Sequence, residues 1–202
     1  MFYDDNPRLA ACKNDIEKAI SVLAGCFGRG GKLLVCGNGG SSADSDHIVG
    51  ELMKGFKSKR PVGAEMKERL IRSGLTESEA EKLEGALPAV SLSSQTALFT
   101  AYCNDAEPDM VYAQAVYGYG KKGDTLLCIS TSGNSKNTVL AAKTANALGL
   151  ETIALTGKNE SALSRICGVT VRVPETETYK VQELHLPVYH YICARIEEIF
   201  FK

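Results

Sequence analysis

Ser130, Thr131, Ser132 and Ser135 put four hydroxyls into the six-residue turn Ser130-Thr131-Ser132-Gly133-Asn134-Ser135, between an apolar run (125–129) and a helical stretch. Hydroxyls beside the free N–H groups of a helix start can hold a phosphate dianion without any lysine. Serine and asparagine also cap helices and make turns, but capping alone does not call for four hydroxyls in one turn. A second polar turn, Gly37-Asn38-Gly39-Gly40-Ser41-Ser42, fits neither the dinucleotide fingerprint nor the P-loop. After it, His47 and Glu51 stand at i and i+4, so both project from one helix face and can share a metal or a substrate. Such pairs also occur on solvated faces. Near the C-terminus come Gln182, His185 and His190. Gln182 and His190 are eight residues apart, about 12 Å along a regular helix, which is far for one ion and points to two sites, one reached across a subunit boundary. His185 reads as an ordinary core or interface histidine.

These residues need a frame that aims them. Five short apolar runs (32–36, 89–92, 125–129, 151–155 and 169–173) alternate with helical patterns, which predicts a parallel sheet covered on both faces. Both polar turns then fall at the carboxyl ends of strands, where open α/β sheets bind their ligands. A first long helix is expected from an Asn6 cap with Pro7 at its first position, ending near Gly28. Others are expected over 43–54, 95–102, 109–119 after a break at Asn104-Asp105, 137–148 closed by Gly149, 161–166, and 183–200 with a kink at Pro187. The charged stretch 63–87 holds two helical patterns, the second opened by a capping box at Thr76 and Glu79. It reads as a helical hairpin inserted into one domain spanning 1–202.

Bulk properties narrow the function classes. The 202 residues suit a single α/β domain, and 23 Lys plus Arg against 24 Asp plus Glu leave a net charge of -1. That balance provides no electrostatic footprint for nucleic acid or an anionic membrane. No apolar run approaches the roughly 18 residues of a membrane span. Seven cysteines without a C-x-x-C pair, two of them in strand-like runs, read as reduced core residues. With no signal-peptide pattern at the N-terminus, the expected location is the cytoplasm.

Several motifs together resemble the SIS (sugar isomerase) domain family. They are Cys36 through Ser41, His47 with Glu51, Asn104-Asp105, Gly123-Asp124, Ile129 through Ser135, Leu155-Thr156-Gly157-Lys158, and Gln182-Glu183 followed by His185 and His190. Within that family the chain is similar, over nearly its whole length, to the phosphoheptose isomerases, which interconvert sedoheptulose 7-phosphate and D-glycero-D-manno-heptose 7-phosphate. The resemblance implies a flavodoxin-like three-layer α/β/α sandwich and a homotetramer with active sites where subunits meet. It implies a phosphate cradle of Ser130, Thr131, Ser132 and Ser135, and a sugar lined by Asn38, Gly39, Gly40, Ser41, Glu51, Asn104, Asp105 and Gln182. It further implies zinc on His47, Glu51, Gln182 and His190, with Glu51 and His190 as the acid and base pair. Moving a carbonyl between C1 and C2 through an enediol needs one group for the carbon-bound proton, which suits Glu51, and another for the oxygens, which suits His190. Zinc would polarise the carbonyl.

Three departures bear on the substrate. Gly55, flanked by Lys54 and Lys57, replaces an arginine of some members, Tyr179 replaces an aspartate, and the 63–87 insertion is long. They leave the reaction type intact and the sugar open. The alternatives are an isomerase of another sugar phosphate and a non-catalytic binding module, which the presence of both Glu51 and His190 disfavours.

Overall fold

The computed structural model describes residues 2–202. Strands β1 (Leu33–Gly37), β2 (Ala89–Ser91), β3 (Thr125–Ile129), β4 (Glu151–Thr156) and β5 (Val169–Arg172) form one parallel sheet in the order β2-β1-β3-β4-β5. This is the doubly wound order of flavodoxin-like folds, with its switch point at β1 and β3. Every residue of β1 and β3 is buried, which is why they read as continuous apolar runs.

Successive side chains leave opposite faces of the sheet, so each strand feeds two cores. Leu33, Val35, Leu127 and Ile129 join Ile16, Ile48, Leu52, Val188 and Ile192 on one face. The helices there are α2 (Lys13–Gly28), α3 (Gly40–Met53) and α10 (Thr178–Phe201). Leu34, Cys36, Leu126 and Cys128 join Tyr112, Val116, Ala141, Ala145 and Leu163 on the other. That layer holds α7 (Val111–Tyr119), α8 (Lys136–Leu148) and α9 (Ala162–Ile166), with α6 (Thr96–Asp105) alongside. The expected three-layer sandwich is present.

Element boundaries differ from expectation where local chemistry was misread. The chain opens with a short helix, α1 (Phe2–Asp5), and Asn6 caps nothing with its side chain, since its amide donates to the Phe2 carbonyl. Pro7 starts a 3-10 segment, Pro7–Cys12, before α2, so the long N-terminal helix is divided. Asn104 and Asp105 are the last residues of α6, and the chain breaks one residue later at Ala106. Helix α10 begins five residues before its apolar run, at Thr178, because its first turn is polar, and it continues through Pro187.

The insertion contains α4 (Ala64–Arg72) and α5 (Glu77–Ala80), with both halves of the Thr76–Glu79 capping box formed. Lys67 bridges Glu77 and Glu81 at 2.8 and 2.7 Å. Its base is fixed by a group that sequence reading missed. Arg60, fully buried, donates from Nε to Glu197 of α10 at 2.8 Å, and from its two terminal nitrogens to the carbonyls of Leu52 and Glu51. Glu197 also accepts from the N–H groups of Phe56 and Lys57. Burial alone would push its carboxyl up, but those two N–H groups and the guanidinium bring it below its ordinary value.

Breaking such a pair from one side strands a buried charge. Glu197→Ala is expected to lower stability by about 3–5 kcal/mol, measured by urea unfolding. Because the Glu197 pKa is depressed, its contribution is present above the ordinary carboxylate range and fades as pH falls through the lowered value. The wild-type margin over Glu197→Ala should therefore shrink in acid.

Candidate active site

The serine turn follows β3 without a gap and ends at Ser135, which precedes the first residue of α8. The Ser135 side chain makes no capping bond to that helix; its hydroxyl lies 3.1 Å from the Ser130 hydroxyl. Hydroxyls that served only as caps would not be arranged this way. Ser130 Oγ accepts from the Gly133 N–H, and Ser132 Oγ from the Asn134 N–H, so Ser132 keeps its own proton free to donate, while Ser130 and Ser135 share one of theirs. At the start of α8 the Thr138 N–H donates to Asn137 Oδ1, and the N–H groups before it have no intrahelical backbone acceptors.

The turn is braced from two sides. Gly157 donates to the Thr131 carbonyl at 3.0 Å, which gives the Leu155-to-Lys158 motif a supporting role. Gly133 has φ +66°, and a Cβ there would lie 2.1 Å from Ser161 Oγ, so only glycine fits. Asp124, by contrast, works at the opposite edge of the sheet, where its carboxylate accepts from the N–H groups of Lys32 and Lys121.

The glycine turn is tied to the serine turn. The side-chain amides of Asn38 and Asn137 exchange two hydrogen bonds of 2.9 Å, placing the cradle at the N-terminal end of α3. Asn137 was not singled out in the sequence, since an asparagine in a first helical turn carries no particular signal. Helix α3 begins at Gly40, three residues earlier than expected, so Ser41 lies buried inside its first turn, and Gly40 packs against the Gln182 amide. Gly39 is the N-cap residue.

Further along the same two helices, three expected residues meet. His47 Nε2 lies 3.1 Å from Glu51 Oε1 and 3.4 Å from His190 Nε2. The His47 and His190 rings stand edge to face with centroids 4.9 Å apart. Burial lowers the His190 pKa, and the neighbouring His47 lowers it further. The Lys54 ammonium stands 3.7 Å from Glu51 Oε2. Glu51 and His190 thus converge on His47 within one chain, where a meeting across a subunit boundary was expected. The reason is that α3 and α10 both start at the carboxyl edge of the sheet and run side by side. Gln182 faces Gly40, about two turns along α3 from the trio that His190 joins, so the two residues stand as far apart as their spacing on α10 requires.

Asn104 and Asp105 are not drawn in. They are exposed at the end of α6, where the Asn104 amide donates to the Asp105 carboxylate. His185 is fully buried, and burial lowers its pKa to about 4. It is the core histidine expected of it. Among the described residues, no group of three or more His, Cys, Asp or Glu side chains is arranged to hold a metal ion. Two imidazoles and a carboxylate are donors that zinc takes, but Glu51 and His47 here engage each other. An ion would have to open that contact.

Gly55 has a structural explanation. Its N–H donates to Glu84 Oε2 at 2.8 Å, and a Cβ there would lie 2.5 Å from the Ser58 carbonyl oxygen. The Ser58 carbonyl, with Glu84 of the insertion behind it, therefore fills the space in which an arginine would have to start.

Among the described residues, no helix is long and apolar enough to cross a membrane. A family profile described as "SIS domain" matches residues 8–85 and 80–157. A protein of Akkermansia muciniphila named phosphoheptose isomerase is 33% identical over 194 residues, covering 96% of this chain and 90% of that one. The solved phosphoheptose isomerase of Neisseria gonorrhoeae is 30% identical with a TM-score of 0.72, covering 96% of each chain. That of Francisella tularensis is 28% identical with a TM-score of 0.76, covering 96% of this chain and 90% of that one. With a phosphate-shaped turn and a carboxylate and imidazole pair on the frame those enzymes share, the chain belongs to the SIS-domain family of phosphoheptose isomerases.

Proposed function

We propose that this chain is an aldose-ketose isomerase that converts sedoheptulose 7-phosphate to D-glycero-D-manno-heptose 7-phosphate. The observation that carries the reading is the convergence of Glu51 and His190 on His47, on the helix whose N-terminal end is tied to the hydroxyl cradle. Seven residues of α3 separate Gly40 from His47, a rise of about 10 Å. From the carbonyl carbon of a heptulose 7-phosphate to its phosphorus run seven bonds, an extended reach of about 9 Å for bonds near 1.5 Å. A pentulose 5-phosphate has two bonds fewer.

In this reading the serine turn and the start of α8 hold the phosphate, while Asn38 and Gln182 are placed to meet sugar hydroxyls. Glu51 takes the proton from C1, the C–H electron pair becomes the C1–C2 double bond, and His190 supplies a proton to O2. The resulting enediol loses its O1 proton to His190 as Glu51 returns its proton to C2. His190 suits both steps because its lowered pKa leaves it largely neutral, able to give and take a proton at oxygen.

The reading extends to zinc on His47, Glu51, His190 and Gln182, the last of which must turn away from Gly40 to reach the ion. The 3.1 and 3.4 Å separations support it, being close to the roughly 3.3 Å between ligand atoms on one tetrahedral zinc. Such an ion would act as a Lewis acid on the carbonyl. It extends also to a homotetramer, to be tested by sedimentation, and to the cytoplasm. The seven free cysteines support that location.

Incubation with sedoheptulose 7-phosphate is expected to give the aldose phosphate, followed by mass spectrometry after reductive tagging. Glu51→Gln should lower kcat by about 10²–10⁴-fold. A wild type inactive on a panel of ketose phosphates would sink the isomerase reading. Gly133→Ala should raise KM for the phosphorylated sugar at least about tenfold by distorting the cradle. Metal analysis should find one zinc per chain, and a chelator should remove activity that added zinc restores. Full activity in metal-free protein would remove zinc from the scheme.

A further inference from the structure

Behind His47 lies a hydrogen-bonded chain that the scheme above leaves without a role. Tyr189, 2% exposed on α10, has its hydroxyl between two side chains of α3. It donates to Asp44 Oδ1 at 3.2 Å and stands 3.0 Å from His47 Nδ1. The other Asp44 oxygen is buried with no partner, so this carboxylate serves the tyrosine alone among the described residues.

Donor counting settles what His47 must do. A phenol has one proton, and a carboxylate has none. With the tyrosine proton directed to Asp44, the phenol oxygen can only accept from His47, which requires a proton on Nδ1. The 3.1 Å contact between His47 Nε2 and Glu51 Oε1 needs a proton of its own, so Nε2 is the nitrogen whose proton is exchangeable, beside Glu51 and His190.

We propose that Asp44 and Tyr189 are positioning residues that hold a proton on His47 Nδ1, so that Nε2 is the ring atom that can release its proton toward Glu51 or take up a cation. The inference builds on the isomerase reading for its catalytic consequence. Without that hold, the neutral ring would keep its single proton on Nε2, donated to the Glu51 carboxylate, and occupy the oxygen that has to collect a proton from carbon. With Nδ1 protonated, loss of the Nε2 proton leaves a neutral ring, and both the Glu51 oxygen and the His47 lone pair become available to substrate or to a cation. Carboxylate-backed orientation of an imidazole is a common outer-shell device, and its loss typically costs about 10–100-fold in activity or metal affinity.

The chain has three histidines, so selective ¹⁵N-histidine labelling of the whole protein leaves three imidazoles to assign. Spectra at about pH 8, above the ordinary imidazole range, read the tautomer directly. Wild-type His47 is expected to show a protonated Nδ1. Tyr189→Phe keeps the ring and should shift His47 toward Nε2–H, with kcat down about 10–100-fold and KM within about twofold. Asp44→Ala frees the tyrosine proton to point at Nδ1 and should give the same swap. Asp44→Asn, whose amide oxygen still accepts, should retain the wild-type tautomer. A wild-type His47 already in the Nε2–H form, or a Tyr189→Phe spectrum unchanged at His47, overturns the proposal. A swapped tautomer with unchanged kcat overturns its catalytic part. The spectra need no turnover, so an inactive protein with the locked tautomer would count against the isomerase reading and not against the lock.

Discussion

Helices α3 and α10 both begin at the carboxyl edge of a parallel sheet and descend the same face. The register between them decides which side chains can meet. Gly40 lies against Gln182, Asp44 and His47 against Tyr189, and His47 against His190. A slip of one residue would turn α10 by about 100° and carry both Tyr189 and His190 out of the groove. The apolar stripe of Val188, Ile192 and Ile196 under the helix resists such a slip, because rotating it would expose side chains worth about 1.5–3 kcal/mol each.

The far end of that register is held by charge. Arg60 links the Glu197 carboxylate on α10 to the terminal carbonyls of α3 at Glu51 and Leu52. A helix end has carbonyls without intrahelical donors, and a guanidinium can satisfy two of them while a third nitrogen binds the carboxylate. Glu51, the proposed acceptor of the carbon-bound proton, therefore has its own backbone fixed by a buried ion pair. Position at Glu51 and global stability are coupled through one side chain.

The sheet was legible because buried parallel strands write themselves as short apolar runs, and all five appear within a residue or two of where they were expected. The serine turn was legible because its hydroxyls exceed what capping explains. The polar first turn of α10 hid the start of the helix, since periodicity appears only where a face is buried. The eight-residue spacing of Gln182 and His190 separates them along α10, Gln182 at Gly40 and His190 at His47, but says nothing of the second helix, α3, that each meets. Arg60 and Glu197 are 137 positions apart and charged, so nothing local marks them as buried. Asp44 and Tyr189 are equally silent, because an aspartate on a helix and a tyrosine in an apolar stripe each have an ordinary explanation.

The insertion changes the reactive end of the groove more than the phosphate end. Ser58 and Glu84 occupy the space beside Gly55, and the Lys54 ammonium stands 3.7 Å from the Glu51 carboxylate on a side chain 62% exposed. An exposed pair of this kind contributes under about 1 kcal/mol, and an ammonium is a mobile point charge. An arginine starting at position 55 would instead present a rigid planar fork able to bind two oxygens at once. Lys54 can neutralise Glu51 or touch one hydroxyl, but it cannot read the spacing of two. Discrimination among sugars at this end must then rest on the length of the groove between cradle and trio, and on the shape that the insertion imposes above it.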